Sequence, residues 1–257
     1  MIMSMDFSDF EVVFKSKIKG KRVPGKSRHD GNLGHWVEKK FGVKSNAIPG
    51  ADLDGYEIKS GGQKGSFGDW MAGWYIWYDW EGKNKKNREK FLKIFGTNKK
   101  PEDPSRFSWT GTNYGQRVSN EFTSCGQRMQ VTATKDLIIQ YSYAHDLRAN
   151  KSTIVPSNFH NGIHCIAKWS RDRLSTFVTD KFGQKGWVMF SVGLVNGVKG
   201  IQALYLGKPF TYAFWIGQME QGNIIFDSGM STGGSRNRSQ FRANKQWWKD
   251  NAFKVVS

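Results

Sequence analysis

The sequence predicts an α/β protein in which a central mixed β-sheet is flanked by helices. Some segments carry apolar residues at the three- and four-residue spacing of a helix, and several short apolar runs bounded by turn residues are typical of strands. With 257 residues, the chain can form one large domain or two lobes that share a core.

Helices are predicted in three places. The first lies between Asp30, which can cap its amino end, and Gly42, which can end it. The basic segment 84–100 has a helical apolar pattern that Pro101 stops, and residues 169–182 are predicted to form a third helix. These helices would supply the layers that cover the sheet.

Strands are predicted along much of the chain and dominate its second half. Residues 56–59 follow a tight turn at Asp54-Gly55, and residues 129–143 are predicted to form an antiparallel hairpin that turns at Lys135-Asp136. Four further segments have strand character: 187–192, 201–206, 210–216 and 223–226. We therefore expect two lobes that share a core, residues 1–125 and the strand-rich residues 126–257.

The charge balance predicts a polyanionic partner. The chain has 39 Lys and Arg against 22 Asp and Glu, which leaves a net charge of +17. A basic surface neutralises phosphates, releases their counterions and steers a polyanion towards the protein. Charge alone does not distinguish DNA from RNA, heparin or an anionic membrane surface.

The two cysteines, Cys125 and Cys165, stand in unlike contexts and suggest neither a disulfide framework nor a metal knuckle. A reducing compartment is consistent with this. The first 22 residues have no apolar signal-peptide core, and no apolar stretch is as long as the roughly 18 residues of a membrane span. We expect a cytoplasmic or nucleoid-associated protein with no membrane partner.

Candidate chemistry is concentrated in residues 49–59. Asp52 precedes the predicted turn, and Glu57 and Lys59 occupy alternate positions of the strand after it. Alternate strand residues share a face at a separation of about 6 to 7 Å, and the turn can bring Asp52 opposite them. The alternative is an ordinary hairpin tip with a solvated Glu-x-Lys face.

Two carboxylates and an ammonium in one site are suited to phosphodiester hydrolysis. A divalent cation held by carboxylates lowers the pKa of bound water and offsets charge on the phosphate. Without a cation the carboxylates would repel one another and one pKa would rise. We prefer a bound cation, with Lys59 orienting the attacking water.

The order of these residues resembles the PD-(D/E)XK nucleases and, within them, the group of MutH, MvaI and BcnI, which includes type II restriction endonucleases. The resemblance covers residues 30–60, where the helical stretch Gly31–Glu38 precedes the turn and strand. It implies a restriction-endonuclease-like fold. Asp52 is favoured over Asp54 as the first carboxylate, because its five-residue offset from Glu57 is similar to that of the restriction enzymes.

The resemblance also implies roles for individual residues. Asp52, Glu57 and the Ile58 carbonyl would hold one or two Mg²⁺ ions, Glu38 would lie nearby, and Lys59 would lie at the attacking water. Residues 1–125 would then be mainly the catalytic lobe, and residues 126–257 would carry the DNA-recognition loop.

We therefore predict a magnesium-dependent type II restriction endonuclease that cleaves double-stranded DNA at a specific short sequence. The resemblance favours a monomer, and such an enzyme would have a companion DNA methyltransferase in its host. A MutH-like repair nickase is the nearest alternative. A nucleic-acid-binding protein that cuts nothing and a sugar-binding protein that uses its tryptophans are alternatives from other classes.

The DNA-reading residues are predicted in the Gly-rich, basic segment 233–242. Arg is the usual bidentate reader of guanine, and Asn and Gln are the usual readers of adenine. The candidates are Arg236, Asn237, Arg238, Gln240 and Arg242. The alternative is a loop that contacts phosphates without sequence preference, and for Arg242 a buried structural ion pair is also open.

Other features receive more ordinary interpretations. The aromatic run Trp70–Trp80 is predicted to be core, with base stacking or sugar binding as alternatives. The five histidines lack the spacing of a zinc site. A solvated basic face that touches phosphates is predicted for Lys64, Lys83, Lys85, Lys86 and Arg88, and Lys135 is a further candidate by its position at a turn.

Overall fold

The structure is a computed structural model that describes residues 6–23, 36, 37, 39–42, 50–59, 64–98, 102–109, 116–195 and 197–257. It contains two compact units, each assembled from segments that are distant in sequence. The first unit comprises residues 1–65, 175–215 and 243–257, and the second comprises residues 66–174 and 216–242. This division differs from the expected boundary at residue 125, because the first strand finds its sheet partners beyond residue 185.

The helices are α1 (Phe7–Val13), α2 (Asn84–Phe95), α3 (Lys151–Ile154), α4 (Arg171–Val178), α5 (Tyr212–Glu220) and α6 (Lys245–Asp250). The strands are β1 (Tyr56–Lys59), β2 (Lys64–Asp69), β3 (Trp74–Tyr75), β4 (Thr97–Asn98), β5 (Phe107–Ser108), β6 (Cys125–Val131), β7 (Leu137–Asp146), β8 (His164–Trp169), β9 (Gly186–Val195), β10 (Val198–Gly207), β11 (Ile224–Asp227), β12 (Gln240–Asn244) and β13 (Lys254–Val256). Short 3₁₀ or π-helical turns span Phe14–Ile18, Ile76–Asp79, Ser157–Phe159 and Thr179–Gly183.

A mixed four-stranded sheet in the order β1-β9-β10-β13 organises the first unit. β1 runs parallel to β9 with Glu57 opposite Trp187 and Lys59 opposite Met189, whereas β9, β10 and β13 pair antiparallel. The predicted α/β class with a mixed sheet is confirmed.

One face of this sheet is covered by the chain's first helical segment. Asp6 caps α1 by accepting hydrogen bonds from the backbone N–H groups of Ser8 and Asp9, and the Asp9 carboxylate accepts one from Asp6 in return. Apolar side chains of this segment then pack into one core with those of the sheet: Phe10, Phe14, Ile18, Tyr56, Ile58, Val188, Phe190, Ile201, Leu204 and Leu206. The core therefore holds one face of β1 in place.

The larger sheet of the second unit is antiparallel. Its four-stranded sheet has the order β3-β8-β7-β6, and a three-stranded sheet has the order β11-β12-β2. In the aromatic run, Trp70, Tyr75 and Trp77 are at most 4% exposed, which confirms the core interpretation for these residues. Tyr78 is 41% exposed and is not core.

Most predicted elements form, with shifted ends. The strand at residues 56–59 and the hairpin with its turn at Lys135 (φ 62°) are present as predicted. Of the first predicted helix, Trp36, Val37, Lys39 and Lys40 are helical and Gly42 has a φ of 76°, while Asp30 lies outside the described residues. α2 ends at Phe95, because the chain becomes extended at Gly96 and enters β4 before reaching Pro101.

Two predictions in the second half of the chain are corrected. Residues 210–216 were expected to be a strand, but Tyr212–Glu220 is the helix α5. A short apolar run does not separate the two conformations, and here the buried residues Trp215 and Met219 lie four apart on one helix face. Trp169 ends β8, so the helix expected from residue 169 begins at Arg171. Among the described residues, no helix is long and apolar enough to cross a membrane.

Candidate active site

A tight hairpin turn brings Asp52 beside β1. Asp54 and Gly55 have φ values of 45° and 85°, a positive pair that Asp-Gly tolerates well. Leu53 and Tyr56 exchange backbone hydrogen bonds of 3.0 and 2.8 Å across the turn. Beyond them, the Ile58 N–H donates to Asp52 Oδ2 at 2.8 Å, so the Asp52 carboxylate lies against the strand that carries Glu57 and Lys59.

Glu57 and Lys59 share one face of β1, as their alternation predicts. Lys59 Nζ donates to Glu57 Oε1 at 2.6 Å, and the two side chains are only 10% and 4% exposed, respectively. Tyr56 and Ile58 point the other way and belong to the core of the first unit. The structure thus brings Asp52, Glu57 and Lys59 together and excludes a solvated Glu-x-Lys face.

A second lysine reaches the same carboxylate. Lys181, from the π-helical turn Thr179–Gly183, donates to Glu57 Oε1 at 2.9 Å and to Oε2 at 3.0 Å. Its side chain is 23% exposed. Lys181 is not among the residues predicted from the sequence, and no local pattern identifies it, because 124 residues separate it from Glu57.

Burial and mutual charge perturb this group. Burial, followed by repulsion from Glu57, raises the pKa of Asp52 to about 6. Burial lowers the pKa of Lys59, and Lys181 lowers it further, while Glu57 opposes the change. The Lys59 ammonium also lies 5.1 Å from the ring centre of Phe182 and 5.6 Å from that of Trp248, so aromatic faces supply part of its surroundings.

Asp54, the other carboxylate near the turn, has a different environment. Its Oδ2 lies 2.5 Å from Lys185 Nζ, and the Asp54 side chain is 27% exposed. The structure therefore places Asp54 in the turn and in a partly exposed ion pair.

The donor set of this cluster fits a hard divalent cation. Asp52, Glu57 and the Ile58 carbonyl offer oxygen ligands. Burial is the main cause of the raised pKa of Asp52, and repulsion from Glu57 adds to it; a bound cation would relieve that repulsion. Within the described ranges, no three His, Cys, Asp or Glu side chains are grouped so that they could hold a metal ion. Glu38, the expected fourth member, lies outside those ranges.

The predicted DNA-reading residues fall into two environments in the second unit. Arg236 and Arg238 are exposed on the loop before β12. On β12 itself, Gln240 and Arg242 share one face and are half-buried, while Phe241 on the opposite face is fully buried. Asn237 is half-buried in the loop.

Arg242 has two partners. Its guanidinium donates to Gln240 Oε1 and lies 3.5 Å from Asp227 Oδ2. The Arg242 side chain is 31% exposed, so the pair is partly open to solvent and the fully buried ion pair considered from sequence is not formed.

The predicted basic face is present in part. Lys64, at the start of β2, is exposed, as are Lys83, Lys85 and Lys86. Arg88 is a correction: it is 4% exposed, because it faces inwards from α2 and donates to the Gly234 carbonyl and to Glu89. Lys135 pairs with Glu220 at 2.7 Å.

The described histidines make local contacts. His145 Nδ1 lies 3.0 Å from Ser142 Oγ, His160 Nε2 3.0 Å from the Val155 carbonyl, and His164 Nε2 2.7 Å from the Asn161 carbonyl. His29 and His35 lie outside the described residues.

Comparison with known proteins gives concordant results. Residues 15–255 match the family described as LlaMI restriction endonuclease. The type II restriction enzyme ScrFI of Lactococcus lactis subsp. cremoris is 34% identical over 261 residues, which cover 92% of this chain and 93% of that enzyme. Sequence similarity therefore extends well beyond the turn and strand.

The solved structure of the restriction endonuclease MvaI with its cognate DNA substrate has the same fold. It aligns over 98% of this chain and 99% of its own with a TM-score of 0.55, although only 12% of residues are identical. The expected restriction-endonuclease-like fold is confirmed by this match. Together, the family match and the identity to ScrFI show that the chain belongs to the LlaMI restriction endonuclease family.

Proposed function

We propose that this protein is a type II restriction endonuclease that uses Mg²⁺ to hydrolyse phosphodiester bonds in double-stranded DNA at a specific short sequence. Membership of a restriction endonuclease family supports the sequence-specific DNA endonuclease activity. One structural observation carries the chemistry: a buried Glu57 carboxylate hydrogen-bonded to Lys59, with Asp52 held against the same strand. Buried charges are costly, and their grouping on one strand is therefore a sign of function.

The proposed roles follow from side-chain chemistry. Asp52, Glu57 and the Ile58 carbonyl would hold Mg²⁺, with Glu38 as a further carboxylate from the preceding helix. When bound, Mg²⁺ would lower the pKa of its water ligand and place positive charge beside the reacting phosphate. Lys59, whose own pKa is lowered by burial, would orient the attacking water and stabilise charge at the phosphate.

Lys181 has a proposed role in the metal-free protein. It neutralises Glu57 together with Lys59, so that the buried carboxylate is compensated without a divalent cation. Because it is more exposed than Lys59 and its turn is short, Lys181 is the ammonium that can leave Glu57 for solvent.

The DNA-contacting residues are proposed to be Lys64, Arg236, Asn237, Arg238, Gln240 and Arg242. Arg242 is the strongest candidate for reading a base, because Gln240 and Asp227 restrict the orientation of its guanidinium. Lys64, at the exposed start of β2, is suited to a phosphate contact.

We further propose that the protein acts as a monomer in the cytoplasm, where its DNA substrate lies and where Cys125 and Cys165 remain thiols. A companion DNA methyltransferase would protect the host genome. Sedimentation of the protein with and without a cognate duplex tests the monomer, and cleavage of methylated host DNA tests the companion enzyme.

The experiment for the main proposal is plasmid cleavage by purified protein. Wild type with Mg²⁺ should convert supercoiled plasmid into fragments with defined ends, and EDTA should abolish this. Lys59→Ala should abolish cutting while still binding the duplex. Uncut plasmid with folded, DNA-binding wild type would overturn the proposal, and products nicked in one strand only would identify a nickase.

A further inference from the structure

A basic cleft lies beside the loop that precedes β12. The cavity has a volume of about 630 Å³ and is lined by Arg106, Arg236 and Arg238, together with small residues between Gly229 and Ser235. None of the described residues that line it carries a carboxylate. We call this feature the arginine cleft.

The three arginines of the cleft carry uncompensated charge. All three are exposed, and within the described part of the chain no ion pair or side-chain hydrogen bond involves their guanidinium groups. Three cations around one cavity repel each other, and an anion there relieves that repulsion. The cleft is therefore built to receive negative charge.

Arg106 is held beside the loop by its neighbours in sequence. The Thr232 N–H donates to the Phe107 carbonyl at 2.9 Å, and the Phe107 N–H donates to Thr232 Oγ1 at 3.0 Å. The Thr232 hydroxyl donates in turn to the Ser105 carbonyl at 2.9 Å. These bonds on both sides of Arg106 fix a residue that is far from the loop in sequence.

The loop backbone is also fixed by α2. The buried Arg88 donates to the Gly234 carbonyl, and the Gly233 N–H donates to Glu89 Oε2 at 3.4 Å. Arg88 and Glu89 are themselves paired at 2.7 Å. A cleft whose walls are already ordered loses less conformational entropy when a ligand binds.

We propose that the arginine cleft binds the phosphodiester backbone of duplex DNA, and that Arg106 is a phosphate-contacting residue of this enzyme. Guanidinium groups bind phosphate oxygens in bidentate fashion, and three of them suit consecutive phosphates along a strand. Among the residues that the structure describes, Arg242 has orienting partners in Gln240 and Asp227, and no side chain plays that part for Arg106, Arg236 or Arg238. Phosphate contacts in the cleft thus position the duplex, whereas side chains on β12 contact the bases.

This inference rests on the proposed function, and DNA binding without cleavage tests it. Binding of cognate and unrelated duplexes is measured by fluorescence anisotropy in EDTA over a range of chloride concentrations. Arg106→Ala should weaken both duplexes equally, by roughly tenfold at low salt, and reduce the steepness of log K against log salt by about one. Arg106→Lys should keep the steepness close to that of wild type.

The matched control is Arg117→Ala, which removes the same charge. Arg117 is exposed in the same unit and donates to the Gly222 carbonyl, away from the cleft lining. An Arg106→Ala effect no larger than that of Arg117→Ala, in a variant with wild-type thermal stability, would overturn the inference. A loss confined to the cognate duplex would also overturn it, because Arg106 would then read a base.

Two further outcomes separate the possibilities. Inorganic phosphate that raises the thermal stability of wild type but not of Arg106→Ala, while both proteins bind duplex DNA equally well, would assign the cleft to a free anion and overturn the DNA assignment. Wild type that binds no duplex would overturn both this inference and the proposed function. Wild type that cuts plasmid while Arg106→Ala binds normally would overturn this inference alone.

Discussion

Two regions of this molecule differ in whether neighbouring side chains compensate their charged groups. Around Glu57 in the first unit, the charged side chains of Asp52, Lys59 and Lys181 are at least partly buried, and each has a partner within 3.0 Å. Around the arginine cleft in the second unit, three cations are exposed, and the described residues that line the cleft include no carboxylate. Charge removed from water must be compensated inside the protein, whereas charge left in water is available to a partner.

The difference matches the two tasks proposed for these regions, catalysis and DNA binding. Buried, mutually compensated groups are rigid and strongly coupled, which suits chemistry at one phosphate. Exposed arginines are weakly coupled and additive, which suits affinity for a polyanion. Single substitutions should therefore have large and distinct effects in the first region and modest, salt-dependent effects in the second.

The largest effect is expected at the first carboxylate. Asp52→Asn should reduce Mg²⁺-dependent plasmid cleavage by about 10³-fold, because the loss of one essential group in a preorganised site typically costs this much. Asp54→Asn is the matched control, since Asn also tolerates a positive φ and Asp54 contacts Lys185 in the turn. The cleavage rates of the two variants are measured on the same plasmid. A large loss in Asp54→Asn with normal activity in Asp52→Asn would reassign the first metal ligand.

The next effect concerns stability. Glu57→Gln leaves the Lys59 and Lys181 ammonium groups facing a neutral amide, so the free energy of unfolding in EDTA should fall by about 3 kcal/mol. Arg238→Gln in the arginine cleft should change it by less than about 0.5 kcal/mol. Urea denaturation of both variants makes the comparison. Equal losses of unfolding free energy in Glu57→Gln and Arg238→Gln would contradict the difference between the Glu57 region and the arginine cleft.

Proton binding at Asp52 should control the metal site. The pKa of Asp52 is about 6 in the folded protein, against an ordinary value of 3.8. The folded state therefore holds this proton more tightly than the unfolded state does. The resulting stability is fully present below pH 3.8 and is lost as the pH rises through about 6. Ca²⁺ must displace the proton, so its affinity should rise about fivefold between pH 5 and 6 and level off above pH 7. Calorimetric titrations test this, and Asp52→Asn should lack that part of the pH dependence.

The smallest effect is expected at Lys181. Lys181→Gln removes an ammonium that competes for both oxygens of Glu57, so Ca²⁺ or Mn²⁺ should bind roughly fivefold more tightly, as expected for a partly exposed ion pair. Lys185→Gln, which removes a partner of Asp54, should leave the affinity near that of wild type. Weaker metal binding in Lys181→Gln would mean that Lys181 supports the metal and does not compete with it.

The local arrangement of the candidate site was predictable because it depends on short-range geometry. The positive-φ turn at Asp54-Gly55, the shared face of Glu57 and Lys59, and the approach of Asp52 all arise within eight residues. The resemblance in residues 30–60 and the later match to a restriction endonuclease family agree. Arg88 was misassigned because its basic neighbours are solvated, and only the packing of α2 turns Arg88 inwards.

The sequence by itself determined the mixed α/β class, the hairpin that presents Asp52, Glu57 and Lys59, and the basic loop before β12, since alternation, turn chemistry and charge act over a few residues. Only the tertiary structure decided that Lys181 reaches Glu57, that Arg106 joins the loop through Thr232, and that β1 pairs with β9. Those contacts join segments far apart in the chain. They depend on the packing of the whole fold, which no local pattern records.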